Sequence, residues 1–211
     1  MTELYPTQYE IEVKLSLGSF TNYLKLIGFL GHIDSEEHQL NGFFDTPDCS
    51  LLAGGWALRV RAENDQGRIT AKSTKERGDL AVVRQEIEEL ISRGDALALL
   101  SEQANVLECN TAPVRYIVEQ FHPRQLCSSV FFSNTRQRKL LRLGDFNYLL
   151  EVDKTEFADG SIDYELEIEL PDTDRVEQLE GQLHKLFDSL DIPFIHQPDS
   201  KLARALKLTR K

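Results

Sequence analysis

Charged residues recur at every second position in several separate stretches of the chain, and their types are sorted. Glu10-Ile11-Glu12-Val13-Lys14 puts two carboxylates and an ammonium on one parity and aliphatic side chains on the other. Leu58-Arg59-Val60-Arg61 does the same with two guanidiniums, and Arg68, Thr70 and Lys72 oppose Ile69 and Ala71. Arg84, Glu86 and Glu88 oppose Val83 and Ile87, while Glu151 and Asp153 oppose Leu150 and Val152. Glu165, Glu167 and Glu169 oppose Leu166, Ile168 and Leu170. Successive side chains of a strand point to opposite faces, so each stretch reads as a strand with one charged and one aliphatic face.

The chemistry open to such faces is narrow. Converging cations repel unless an anion lies between them; arginine suits bidentate phosphate contact and lysine acts as a point charge. Gathered carboxylates repel unless a hard cation sits among them. Ligation by oxygen alone, without His or Cys beside it, favours Mg²⁺ or Mn²⁺ over Zn²⁺. A polyphosphate carrying a carboxylate-bound metal meets both demands. Taken singly, each strand reads as half-buried with its charges in water. Taken together the strands read otherwise, because the helices need partners for their apolar faces and the aliphatic strand faces supply them. A sheet curled so that helices cover its aliphatic face and its charged face lines a lumen accounts for the pattern.

The elements that must position these residues follow from periodicity. Residues 9–17 alternate as a strand, and 19–30 carry Phe20, Tyr23, Leu24, Ile27 and Leu30 at helical spacing. An extended piece over 41–47 ends in a turn at Pro47, residues 56–63 and 68–73 form a hairpin across 64–67, and 81–90 is another strand. Residues 93–122 predict two short helices broken at Pro113, followed by strands over 129–143, 146–157 and 162–170. A helix over 174–190 presents Val176, Leu179, Leu183, Leu186, Phe187 and Leu190, with Asp172, Thr173 or Asp174 as its cap. A last short helix starts near Asp199 or Ser200.

The motifs and their order resemble the CYTH superfamily, the triphosphate tunnel metalloenzymes. Glu10-Ile11-Glu12-Val13-Lys14 is similar to the family's ExExK signature, Phe44-Asp45-Thr46-Pro47 to its aromatic-Asp-Thr-Pro turn, and Leu58-Arg59-Val60-Arg61 to its LRxR strand. Thr70-Ala71-Lys72, Arg84-Gln85-Glu86-Ile87-Glu88, Asn134-Thr135-Arg136, Glu151-Val152-Asp153, Tyr164-Glu165-Leu166-Glu167 and Ser200-Lys201 continue the likeness in the same order. The resemblance implies an α+β fold, an antiparallel eight-stranded β-barrel with flanking helices, as one domain over residues 5–208. It implies that Lys14, Arg59, Arg61, Lys72, Arg84, Arg136 and Lys201 hold a triphosphate. It further implies that Glu10, Glu12, Asp153, Glu165 and Glu167 hold Mg²⁺ or Mn²⁺. Glu165 is the candidate that activates water, and Lys14 is expected to serve both binding and catalysis. The resemblance makes Glu86 and Glu88 further expected tunnel residues. Parity adds Arg68, Arg138, Glu151 and Glu169 to the expected tunnel residues, of which Glu169, at its strand's end, reads as solvated.

The expected activity is hydrolysis of the terminal phosphoryl group of a small-molecule triphosphate, inorganic tripolyphosphate first. The Phe44–Arg61 segment resembles the hydrolase branches. Thiamine triphosphatases of animals carry tryptophan directly before the Leu-Arg pair, where this chain has Ala57, with Trp56 one residue earlier on the other face. Class IV adenylyl cyclases tend to an Arg-Ser-Tyr stretch, where this chain has Asp199-Ser200-Lys201. A non-catalytic polyphosphate-binding module would keep the cations and lose the acidic clusters, both of which are intact.

Bulk properties narrow the partners. Over 211 residues the net charge is -11, against a general nucleic-acid surface but compatible with a local cationic pocket. No run of about 18 apolar residues predicts a membrane span. The first residues lack a basic n-region and an apolar h-region, and Cys49, Cys109 and Cys127 have no metal-ligand spacing, so a cytoplasmic, thiol-reduced protein is expected. The histidines fit no metal or triad spacing, there is no phosphate-binding G-x-x-x-x-G-K-[ST] loop, Gly54-Gly55 reads as a turn, and Ser133 and Ser200 lack a base.

Overall fold

The computed structural model describes residues 5, 8–77 and 81–209. In chain order the elements are β1 (Gln8–Ser16), α1 (Phe20–Leu30), β2 (Ser35–Asp45), α2 (Ser50–Ala53), β3 (Trp56–Ala62), β4 (Gln66–Arg77), β5 (Ala81–Ser92) and α3 (Arg93–Leu100). A single 3₁₀ turn at Val106–Glu108 leads to α4 (Ala112–Phe121), then β6 (Cys127–Leu143), β7 (Phe146–Phe157), β8 (Ile162–Leu170), α5 (Val176–Ser189), β9 (Ile195–His196) and α6 (Lys201–Thr209). The eight long strands pair antiparallel in the order β5-β4-β3-β2-β6-β7-β8-β1, and β1 pairs back onto β5. The sheet is thus a closed barrel, which removes its edges. The two-residue β9 pairs with the end of β1.

Closure turns one parity of every strand inward. The aliphatic parity faces out and is covered in sectors. Leu15, Leu150, Val152 and Leu166 pack with Leu26 of α1 and Leu183 and Phe187 of α5. Leu58, Val60, Ile69 and Ala71 pack under Leu99 of α3 and Val114 and Ile117 of α4. Phe132, Val130 and Phe157 pack with Ala205 of α6. Local chemistry fixes the helix ends: Ser19 accepts from the Asn22 amide to cap α1, and Ser200 accepts from the Ala203 amide at the start of α6. The Asp45 carboxylate accepts from the amides of Thr46, Leu51 and Leu52, so the Asp-Thr-Pro turn pins α2 to the end of β2.

Several expected boundaries change, each for a physical reason. β2 begins at Ser35, well before 41, because its inward positions Glu37, Gln39 and Asn41 are polar and hide the alternation. Pro113 does not break a helix. It sits in the first turn of α4, where its missing N–H costs nothing, and the interruption lies over 101–111. None of Asp172, Thr173 and Asp174 caps α5, whose N-cap is Arg175 without a side-chain hydrogen bond; the Asp172 carboxylate accepts from the Asp174 amide instead. Gly67 belongs to β4 and not to the turn. A Cβ there would lie 2.5 Å from the Ala96 side chain, so α3 approaches the sheet at that point only over glycine.

Phe187 of α5 is fully buried against the barrel. Phe187→Ala should cost about 3–5 kcal/mol of stability through lost contacts and the cavity left behind. A denaturant midpoint unchanged from wild type would contradict the sealing role assigned to α5.

Candidate active site

The inward parity lines a cavity of about 880 Å³ running through the barrel. The barrel register sets which charges meet, because residues directly opposite on neighbouring strands share a face. Lys14 lies opposite Glu167, Glu10 opposite Arg84, Lys72 opposite Glu86, and Arg136 opposite Asp153. Each of these pairs comes from strands distant in sequence or separated by a hairpin.

One wall is carboxylate-rich. Asp153, Glu165 and Glu167 are buried, and each offers an oxygen within 4.8 Å of the others, the one such group among the described residues. Arg136 donates to both oxygens of Asp153, at 2.8 and 2.6 Å, and also to Glu151 and Glu167. Lys14 lies 2.8 Å from Glu167 and 3.1 Å from Glu12. Lys201, from α6, lies 2.7 Å from Asp153 and 3.1 Å from Glu167 and touches Glu165. All ligand atoms on this wall are oxygens, the donor set of a hard divalent cation, so Mg²⁺ or Mn²⁺ fits the residues present. Glu165 Oε1 is buried, with an ammonium against it but no aligned hydrogen bond to accept.

The opposite wall is short of anions. On β3, Arg59 donates to Thr70 at 3.2 Å and comes no closer than 3.9 Å to Glu88, and its buried Nε has no partner. Arg61 donates to Asn41 at 2.8 Å, with Glu63 at 3.6 Å. Burial, then Arg59 and Arg136, bring the Arg61 guanidinium down to about 9. Two half-buried guanidiniums side by side without close countercharge make an anion slot.

The remaining expected residues line the same lumen. Lys72 bridges Glu10 and Glu86 at 3.1 Å each, and Arg84 Nη1 lies 2.7 Å from Glu12. Glu10 is thus held by Lys72, while Glu12 is held by Arg84 and, through Lys14, is linked to Glu167 of the Asp153 group. Arg68 bridges Glu63 and Glu88, and Arg138 bridges Glu37 and Glu151, at one mouth of the tunnel. Glu169 is exposed at that mouth and also lines the cavity; desolvation and the Glu10 and Glu151 carboxylates push its carboxyl up to about 7. At the other mouth Trp56 packs at a tilt on Tyr116, 4.6 Å between centroids, and lines the cavity with Phe43, Phe132, Leu202 and Leu206 as an apolar rim. Cys49, Cys109 and Cys127 are free thiols.

Sequence reasoning overlooked three participants. Arg204 of α6 lies 2.7 Å from Glu165 and 2.8 Å from Asp163; its spacing of three from Lys201 on a helix was the available signal. Glu63 continues the parity of Arg59 and Arg61 past the strand's end. Glu37 was hidden with the first half of β2.

The charges are mutually stabilising. Burial alone would raise the Glu10 carboxyl, but Lys72, Lys14 and Arg84 outweigh it and hold the group at about 2. Asp153, likewise opposed by burial, is held at about 2 by Arg136 and Lys201, and Glu167 is lowered by Lys14, Lys201 and Arg136. Glu12 goes the other way, raised chiefly by burial.

The chain matches the CYTH domain family over residues 8–197. Among solved structures it is similar to an adenylyl cyclase candidate from Hippeastrum described as having a dominant triphosphatase activity, at 24% identity and TM-score 0.83 over 94% of this chain and 95% of that one. It is also similar to an adenylate cyclase candidate from Bacillus halodurans (21% identity, TM-score 0.70, 94% and 97% covered) and to the PH1819 protein of Pyrococcus horikoshii (17%, 0.61, 96% and 99%). At these identities the likeness is one of fold. No curated protein sequence matches the chain significantly.

Glu10 and Asp153 have folded-state values below their ordinary 4.5 and 3.8, so their ionised forms stabilise the fold above those values. That contribution should fall away as pH drops from the ordinary carboxylate range toward 2. Thermal melts of the ligand-free protein across this range should show a steep loss, shallower in Glu10→Gln. A flat profile would rule out the internal neutralisation described above.

Proposed function

The chain belongs to the CYTH domain family, and from that premise we propose that it is a metal-dependent hydrolase cleaving the terminal phosphoryl group of a triphosphate, with inorganic tripolyphosphate as the preferred substrate. The observation that carries the reading is the half-buried Arg59–Arg61 pair, without a close countercharge, sharing one lumen with Glu167, whose carboxylate is grouped with those of Asp153 and Glu165 buried beside it. An anion with several charged oxygens suits the first wall and a hard cation suits the second. The triphosphatase activity described for the Hippeastrum protein favours the same direction.

In this reading Arg59 and Arg61 grip phosphate oxygens, and Lys14 and Arg136 neutralise charge that grows on the transferred group and the departing diphosphate. A water attacks phosphorus in line as the bridging anhydride oxygen leaves with diphosphate. Its proton passes to a carboxylate, a role assigned here to Glu165, which stands with Asp153 and Glu167 at the carboxylate wall. A divalent cation held by Asp153, Glu165 and Glu167 would supply Lewis-acid stabilisation of the phosphate oxygens. A second reading, an organic triphosphate such as thiamine triphosphate, is favoured by the apolar rim of Phe43, Trp56 and Phe132 at one mouth.

Phosphate release from tripolyphosphate, thiamine triphosphate and ATP, with and without Mg²⁺ or Mn²⁺, orders these substrates. Lys14→Ala and Glu12→Gln should each lower turnover of tripolyphosphate by about a hundredfold or more; wild-type rates in both would sink the proposal. Arg61→Met should leave the ligand-free protein at least as stable as wild type, because an undercompensated buried charge is removed, while weakening tripolyphosphate binding about tenfold or more. A less stable variant with intact binding would mean that Arg61 serves the fold instead of the anion.

A further inference from the structure

Lys201 stands where a metal ion would stand. Its ammonium lies 2.7 Å from Asp153 Oδ2 and 3.1 Å from Glu167 Oε1 and touches Glu165 Oε1, which are oxygens of the three carboxylates close enough together to share a cation. An ammonium and a divalent cation cannot occupy one such space, since like charges a few ångströms apart in a buried site repel strongly. The oxygens that Lys201 touches therefore serve its ammonium or a divalent cation, while Arg136 and Lys14 also hold Asp153 and Glu167.

We propose that Lys201 is a resident counter-ion for the metal site, and that α6 must withdraw it before a divalent cation is held by Asp153, Glu165 and Glu167. The proposal rests on the metal-dependent reading of this site. Glu165 is the pivot. Both of its oxygens face cations of α6, Oε1 the Lys201 ammonium and Oε2 the Arg204 guanidinium at 2.7 Å, yet Oε1, buried to 1% exposure of the residue, accepts no aligned hydrogen bond. An acceptor desolvated and left without a directed donor suits exchange of its cation. Arg204 ties the helix again through Asp163 at 2.8 Å, and Leu202 and Leu206 pack with the Phe132 cluster. Withdrawal of Lys201 thus loosens α6 against the small Val130, Phe132 and Phe157 cluster that Ala205 also joins.

The helix has nine residues, too short to hold its hydrogen bonds in water once undocked, as isolated helices below about 12–15 residues are marginal. Loss of docking is therefore readable as loss of amide protection. Without metal the ammonium keeps the three carboxylates from repelling one another. With metal it is released into a lumen lined by the anion slot of Arg59 and Arg61.

The test uses Mn²⁺ alone, without any phosphate compound. Backbone amides of residues 201–209 in the wild-type chain should exchange faster at saturating Mn²⁺, while those of β7 and β8 do not. Lys201→Gln should bind Mn²⁺ roughly tenfold or more tightly than wild type, followed by loss of the free-ion electron paramagnetic signal. Should the variant fail to fold, the wild-type exchange measurement decides by itself. A wild-type chain that binds Mn²⁺ and releases phosphate from tripolyphosphate with unchanged α6 protection overturns the displacement alone. A chain that neither binds Mn²⁺ nor releases phosphate overturns the metal-dependent reading along with it.

Discussion

A closed barrel with a charged interior must balance its charges inside itself, and this constraint organises the molecule. Moving an ion out of water costs several kcal/mol even after relaxation, and only a close partner of opposite sign offsets it. The tunnel meets the requirement by crossing strands: Lys14 to Glu167, Arg84 to Glu12, Lys72 to Glu10 and Glu86, Arg136 to Asp153. These are the buried pairs that matter. Exposed pairs such as Lys207–Asp199 contribute at most about 1 kcal/mol.

Balance is incomplete at one place, and that place defines the site. Arg59 and Arg61 lack full countercharge, so the protein carries a local excess of cation that an anion relieves. On the facing wall the carboxylates have cations in abundance, but these are ammonium and guanidinium groups on flexible stems. Under the proposed function a metal and a polyphosphate would exchange partners with them, carboxylate for phosphate on one side and lysine for metal on the other.

The outer layers bear the cost of this arrangement. A barrel filled with apolar side chains would have a core of its own; this one has a cavity lined by charged side chains and must take its hydrophobic stabilisation from outside. The aliphatic strand parity supplies one half, and α1, α5, α3, α4 and α6 supply the other in three sectors. Burial of Leu58, Leu150 or Leu166 under a helix is therefore part of what keeps the carboxylates in register on the opposite face.

What could be read in advance was whatever is local to the backbone. Strand parity is a property of two successive residues, so the inward set, Glu10, Glu12, Lys14, Arg59, Arg61, Lys72, Glu165 and Glu167 among them, was legible without any knowledge of the fold. Where one strand carried polar residues inward without aliphatic contrast, as in the first half of β2, the signal vanished and Glu37 went with it. Pro113 misled for the converse reason, since a proline that opens a helix and one that ends it look alike until the chain before it is placed.

The sequence by itself determined which faces are charged and which residue types line the lumen. Only the tertiary structure decided which charge meets which. Barrel register brings Lys14 against Glu167 and Arg136 against Asp153, and the docking of α6 brings Lys201 and Arg204 onto Glu165. Those meetings depend on hairpin register, sheet closure and helix packing, most of them between segments far apart in the chain. No periodicity within a strand or helix encodes such distances.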